Sequence, residues 1–174
     1  MGNKILKLKW HIVAFLRIIL YKVLYGSHFL VGRGTTFRRS FSAYIEGDGR
    51  IQIGSNCFFN HYCSINALER IEIGDGCILG ENVRIYDHNH RFSDGSKAIK
   101  EQGFSIAPVT IGNHCWFGSN VVVLKGCTIG NNCVIGAGCI ISESIPDNTI
   151  VSMNRDIKMV PINKKTGVNL AWNQ

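Results

Sequence analysis

The sequence predicts an all-β chain wound as a β-helix, preceded by a short helix and interrupted once by an inserted loop. Three observations carry that prediction. Apolar residues return every six positions over long stretches. All seven cysteines occupy one fixed place in that period. Glycine and asparagine fall where such a chain must bend.

The period is cleanest from Val109 onward, where Ile111, Phe117, Val123, Ile129, Ile135 and Ile141 are each six residues apart. Glycine follows at positions 112, 118, 130 and 136, and Asn113 and Asn131 lie at or near the bends. Earlier, Ile53, Phe59 and Ile65 keep the frame, as do Ile73, Leu79 and Ile85. The step from Ile65 to Ile73 is two residues too long, and the step from Ile85 to Ile111 holds a larger insertion. Before Ile53 the frame blurs; Val31-Gly32 and Phe37 begin it, with a further insertion around residues 47–49. Extended chain alternates its side chains, so the apolar residue and the residue four places on both face one interior. Successive short strands then pair with those one coil away, which satisfies their backbone groups along the axis. An α-helix needs recurrence near 3.6, which these stretches lack, whereas six-residue β-helix repeats are a known solenoid type.

The fourth place after each apolar residue takes Cys57, Cys63, Cys77, Cys115, Cys127, Cys133 and Cys139, and elsewhere Val83 and Val121. An odd number of cysteines with no CxxC spacing argues against a disulfide framework or a zinc site. Small hydrophobes stacked in an interior explain them. They fit the reducing cytoplasm.

The chain of 174 residues carries a net charge of +7, unevenly placed. Residues 1–30 hold five basic residues and no acid; the remainder holds 14 basic and 12 acidic residues. The body therefore lacks a basic face for nucleic acid. Residues 4–25 read as a helix. Lys4, Lys7, His11 and Lys22 form one stripe, and Ile5, Ile12, Leu16, Ile19 and Val23 lie roughly opposite. Charges interrupt the apolar run before it is long enough to span a bilayer. No cleavage-site pattern follows it, and Leu6 stands where a myristoylation signal needs Ser or Thr. Two readings stay open for this helix: it packs on the prism or a sister subunit, or it lies on the inner membrane surface. The predicted organisation is thus a basic amphipathic segment (1–30), a six-residue-repeat body (31–150) with a loop at 86–108, and a C-terminal strand and tail (151–174).

The loop opens with Tyr86-Asp87-His88-Asn89-His90-Arg91-Phe92. An imidazole titrating near neutrality is suited to take a proton from an attacking hydroxyl, and Asp87 is placed to hold a histidine tautomer. Asp87, His88 and His90 are the catalytic candidates. The rival reading is zinc held by the two histidines and a carboxylate, with His61 as the one candidate third ligand; no metal is expected.

Residues 51–162 resemble the hexapeptide-repeat acyltransferases, most closely the galactoside, maltose and polysaccharide O-acetyltransferases. The resemblance implies a left-handed parallel β-helix, a triangular prism with three six-residue faces per coil, and a homotrimer with sites between prisms. It implies direct acetyl transfer from acetyl-CoA to a hydroxyl with one histidine as base. Counting from Ile73-Gly74-Asp75 puts that histidine at His90, with His88 second; Asn89-His90-Arg91 also resembles the drug-modifying branch. Asn60 matches an asparagine beside the acceptor. Ala67 and Leu68 stand where sugar-acetylating members have carboxylates, so His61 and Tyr62 are assigned to an altered acceptor pocket. Trp116, Ser119 and Ala137 match coenzyme A positions, and Lys125 and Lys158 are candidates for its phosphates. The family's exit motif is similar to Ile145-Pro146-Asp147-Asn148, but its later Gly-x-Pro is missing near Met153-Asn154-Arg155. The implied function is O-acetylation of a sugar in a cell-surface polysaccharide or its precursor, in the cytoplasm. A small-molecule acetyltransferase and a non-enzymatic or metal-binding prism are the alternatives.

Overall fold

The computed structural model describes residues 2–153, with side chains described from Leu8 onward. A single helix, α1 (Gly2–Tyr25), precedes the coils. Each coil contributes one short strand to each of three parallel sheets.

The first coil is β1 (Phe29–Val31), β2 (Thr36–Phe37) and β3 (Ser42–Ile45); the second is β4 (Arg50–Ile53), β5 (Phe58–Phe59) and β6 (Ser64–Ala67). The third is β7 (Arg70–Ile73), β8 (Ile78–Leu79) and β9 (Arg84–Tyr86). A hairpin of β10 (His88–His90) and β11 (Phe104–Ile106) then leaves the prism. The fourth coil is β12 (Val109–Ile111), β13 (Trp116–Phe117) and β14 (Val122–Val123), and the fifth is β15 (Thr128–Ile129), β16 (Val134–Ile135) and β17 (Ile140–Ile141). A sixth begins with Ile145, which bridges to Ile129, and β18 (Ile150–Val151). The first sheet runs β1-β4-β7-β12-β15, the second β2-β5-β8-β13-β16-β18, and the third β3-β6-β9-β14-β17. Phe29 pairs in register with Ile51 and Val31 with Ile53, so the coil starts at Phe29, just before the predicted Val31.

The six-residue frame selects the core. Ile53, Phe59, Ile65, Ile73, Leu79, Ile85, Ile111, Phe117, Val123, Ile129 and Ile135 are all buried, as are all seven cysteines. Asparagine supplies the left-handed backbone of many corners, at Asn56, Asn82, Asn120, Asn132 and Asn148, a region its short polar side chain tolerates. Coils approach closely there: a Cβ on Gly118 would lie 2.6 Å from the backbone nitrogen of Ala137.

The cysteines are not equivalent. At the corner between the first and second sheets they form a column in which each thiol donates to the glycine or proline carbonyl of the next coil. Cys57 bonds Gly74 (3.1 Å), Cys77 bonds Gly112 (3.2 Å), Cys115 bonds Gly130 (3.1 Å) and Cys133 bonds Pro146 (3.2 Å). Thr35 holds this place in the first coil and donates to Gly54 at 2.7 Å. Beside it runs a second ladder, in which the side-chain oxygens of Asp75, Asn113, Asn131 and Asp147 accept the backbone N–H of Ser55, Asp75, Asn113 and Asn131. Cys77 is raised by its thiol neighbours Cys115 and Cys57 and by burial. Burial pushes Cys63, at the next corner, up to about 11.

Helix α1 closes the first coil. Ala14 is buried, and Ile18, Tyr21 and Tyr25 pack on a plug of Phe29, Phe37, Phe41 and Phe59. The Tyr21 hydroxyl accepts the Ala43 N–H (3.1 Å) and the Tyr25 hydroxyl donates to the Ala43 carbonyl (3.4 Å). These are groups of an edge strand, which would otherwise stay open to pairing with another chain.

Candidate functional site

The break in the repeat is an antiparallel hairpin at the corner between the third and first sheets. His88 pairs with Ile106, Asn89 with Ser105 and His90 with Phe104. Residues two apart on a strand share a face. Accordingly both imidazoles lie against Phe104, with ring centroids at 5.2 Å for His88 and 4.6 Å for His90. The hairpin tip is tied by Gln102, which accepts the Asp94 N–H and donates to the carbonyls of Asp94 and Lys97. Ser96 donates to the Asp94 carboxylate, holding that carboxyl below its usual range.

Asp87 anchors the hairpin to the prism. It follows Ile85 at an inward place, where the first two coils carry Ile45 and Ala67, and it is fully buried. A buried charge needs several hydrogen bonds. Asp87 accepts them from the backbone N–H of Leu68 (2.9 and 3.0 Å), Glu69 (2.7 Å) and Arg70 (2.9 Å). Those donors are the two-residue insertion and the residue after it, so two departures from the repeat complete each other. Asp87 also accepts from His88 Nδ1 at 2.9 Å. Its imidazole partner is therefore His88, whose side chain is 18% exposed, while His90 stands out in solvent.

The other candidates lie elsewhere. Asn60, His61 and Tyr62 form the corner between the second and third sheets in the second coil; Ser119 and Ala137 take the same corner in the fourth and fifth. That corner is separated from the hairpin by the width of the third sheet, about 13 Å for a four-residue strand. The Asn60 side-chain oxygen accepts the His61 N–H at 3.0 Å, and His61 meets Trp10 of α1 edge to face at 5.6 Å. Tyr62 is exposed and has φ 64°, strained backbone for an aromatic residue. Lys125 is half-buried at the corner leading to β15, and Lys158 lies outside the described residues. Among the described residues no group of three histidine, cysteine, aspartate or glutamate side chains is placed to hold a metal ion.

Two features of the outer faces were not anticipated from sequence. Along the second sheet Phe58, Ile78, Trp116, Val134 and Ile150 pair in register, and Ile78, Trp116 and Ile150 are exposed. On the third sheet a shallow depression of about 740 Å³ is lined by Tyr62, Asn66, Glu81, Arg84, Tyr86 and Ser119 among others. The alternating outward residues of β6 and β9 were the available signal for it.

Residues 108–143 match the family model described as bacterial transferase hexapeptide (six repeats). Over those residues the chain carries the hexapeptide repeat of that family. Galactoside O-acetyltransferase of Escherichia coli K12 is 36% identical to this hexapeptide-repeat chain over 109 residues, 63% of the chain and 53% of the relative. WbbJ of the same organism, named for O-acetyl transfer in lipopolysaccharide biosynthesis, is 29% identical over 141 residues, covering 64% and 72%. A galactoside acetyltransferase solved in complex with coenzyme A superposes with a TM-score of 0.56 at 31% identity, over 77% of this chain and 64% of that one. The first curated relatives are matched over 34% to 72% of their own length.

Proposed function

We propose that this hexapeptide-repeat chain transfers an acetyl group from acetyl-CoA to a sugar hydroxyl, of a cell-surface polysaccharide or its precursor, with His90 as general base. The observation that carries the proposal is the pair of imidazoles on a hairpin anchored to the prism by the buried Asp87. His90 is the one open to an incoming alcohol. Its nitrogen takes the hydroxyl proton as the oxygen attacks the thioester carbonyl. The tetrahedral intermediate collapses with loss of coenzyme A thiolate, to which the proton returns. No covalent enzyme intermediate is needed when both substrates bind together.

The placement of the other residues supports a homotrimer. His90 and Asn60 stand at different corners of one prism, so a neighbouring prism must bring the acceptor-side residues to the hairpin. The exposed apolar column along Trp116 suits such a contact, with Trp116, Ser119 and Ala137 along the coenzyme A channel and Lys125 and Lys158 at its phosphates. The names of the galactoside and lipopolysaccharide relatives support a sugar acceptor. Ala67 and Leu68 lack the carboxylates of that group, so Asn60, His61 and Tyr62 shape a different acceptor pocket. The reduced cysteines agree with a cytoplasmic site of action.

A second reading follows from one contact. Asp87 fixes the Nδ1–H tautomer of His88 and leaves its Nε2 basic, the arrangement of a held general base. Thiol release from acetyl-CoA with polysaccharide sugars as acceptors separates the two. We expect His90→Ala to lose roughly 10²–10⁴-fold in kcat and His88→Ala to lose less. The reverse order transfers the role to His88. Full activity in both variants removes the mechanism.

A further inference from the structure

We propose that the outer face of α1 is a docking surface for an anionic lipid bilayer. Two independent features of the molecule point there, and neither depends on the acetyl-transfer reading.

The first is the division of the helix surface. At 100° per residue, Ala14, Ile18, Tyr21 and Tyr25 fall on the side that seals the first coil. The opposite side holds Leu8, Ile12, Phe15, Leu16, Ile19 and Val23, all exposed; Phe15 is 63% and Val23 78% accessible. These six share an arc of about 100° that holds no charged residue among the described side chains. Lys9 borders it on one side, and His11 and Lys22 on the other. A continuous apolar arc with basic margins is the pattern of a helix lying in the membrane interface. Among the described residues no helix is long and apolar enough to cross a membrane.

The second is the charge of the end that α1 covers. Residues 1–45 contain eight of the 19 basic residues and none of the 12 acidic ones; the rest is close to balanced, with 11 and 12. Arg33 and Arg39, on the first coil beneath the helix, are exposed. The field at this end is therefore cationic, which complements anionic headgroups at about 1 kcal/mol per basic residue near the surface. A second copy of the chain does not fit as well. Two such faces meeting would set their basic margins against each other without a single acid in the helix to relieve them.

Flotation of the full chain with phosphatidylcholine vesicles, with and without about one third phosphatidylglycerol, tests the proposal. The chain is expected to float with the anionic vesicles at least about tenfold more than with neutral ones, and to be released as salt rises to about 0.5 M. Leu16→Glu is expected to cut recovery by about tenfold with an unchanged melting temperature, since Leu16 is 59% exposed. Should that variant fail to fold, Lys9→Gln with Lys22→Gln, which keeps the apolar arc, is expected to weaken anionic binding alone. No flotation, equal recovery on neutral vesicles, or an assembly in solution that Leu16→Glu splits overturns the proposal; the last outcome gives the face to a second copy. Because recovery is read without substrates, failure here leaves the acetyl-transfer reading untouched, and failure of that reading leaves this one untouched.

Discussion

The corner between the first and second sheets repeats almost without change from coil to coil, while the corner between the third and first sheets differs in every coil. At the regular corner each thiol or threonine hydroxyl meets the next carbonyl, and each asparagine or aspartate oxygen meets the next N–H. It satisfies itself along the axis and leaves little free to act on a ligand. At the irregular corner the connections run through Glu46–Gly49, Leu68-Glu69, the hairpin after Tyr86, Leu124–Cys127 and residues 142–144. There a carboxylate enters the core, and two imidazoles stand off it. Regular corners build a scaffold, and the irregular one is where chemistry has room to be placed.

Removing Asp87 is the most severe way to break this comparison. Asp87→Ala leaves the N–H groups of Leu68, Glu69 and Arg70 facing an apolar void, and each buried unsatisfied donor costs about 1–3 kcal/mol. A loss of roughly 3 kcal/mol or more is expected in chemical denaturation, with a smaller loss for Asp87→Asn, whose single carbonyl oxygen still accepts part of the set. If Asp87→Ala unfolds at the same denaturant concentration as the parent, the irregular corner is not held by this carboxylate. The anchor reading would then be wrong.

The two corners also differ in how far they could be read from sequence. The period of six placed the coils, the interior and all seven cysteines, because each of those depends only on which face a residue occupies. The insertions around 47–49, between Ile65 and Ile73, and at 86–108 are equally visible as breaks in that count. What they become was not visible. The 86–108 segment shows no core periodicity, yet Asn89 pairs with Ser105 and His90 with Phe104, a contact between residues fourteen or more apart that alternation over three residues cannot announce. Asp87 reads from sequence as a histidine partner, but its bonds to Leu68, Glu69 and Arg70 join two separate insertions, and nothing local in either encodes the other. The same limit applies to Asn60 and His90. Each fell at a position known from the family, and only the coil geometry shows them at different corners.

A finer test lies within the cysteines, where one place in the period hides three environments, with Cys127 alone at the irregular corner. Cys57, Cys77, Cys115 and Cys133 recur every third repeat or after the loop and donate along the regular corner, whereas at the next corner Cys63 donates to Gly80 (3.1 Å) but shares the place with Phe41, Val83, Val121 and Cys139. Valine already serves there, so Cys139→Val should change stability by less than about 0.5 kcal/mol. Cys115→Val deletes the donor to Gly130 and should cost about 1 kcal/mol. Cys115→Thr, which copies Thr35, should recover most of that. Paired melts of the three variants decide it, and equal costs for the two valines would reduce the thiol column to ordinary packing.

A small effect of opposite sign is expected from a histidine on the regular corner. His114 has φ 57°, at a place where the second, fifth and sixth coils carry Asn56, Asn132 and Asn148 and the third carries Gly76. The short side chain of asparagine suits the left-handed region better than an imidazole does. His114→Asn should therefore raise stability by about 0.5 kcal/mol, seen as a small rise in melting temperature. Its turnover should equal that of the parent, in contrast to His90, which has the same side chain at the irregular corner. Loss of activity in His114→Asn would mean that the regular corner takes part in binding or catalysis. The division between scaffold and site would then have to be drawn along a different edge of the prism.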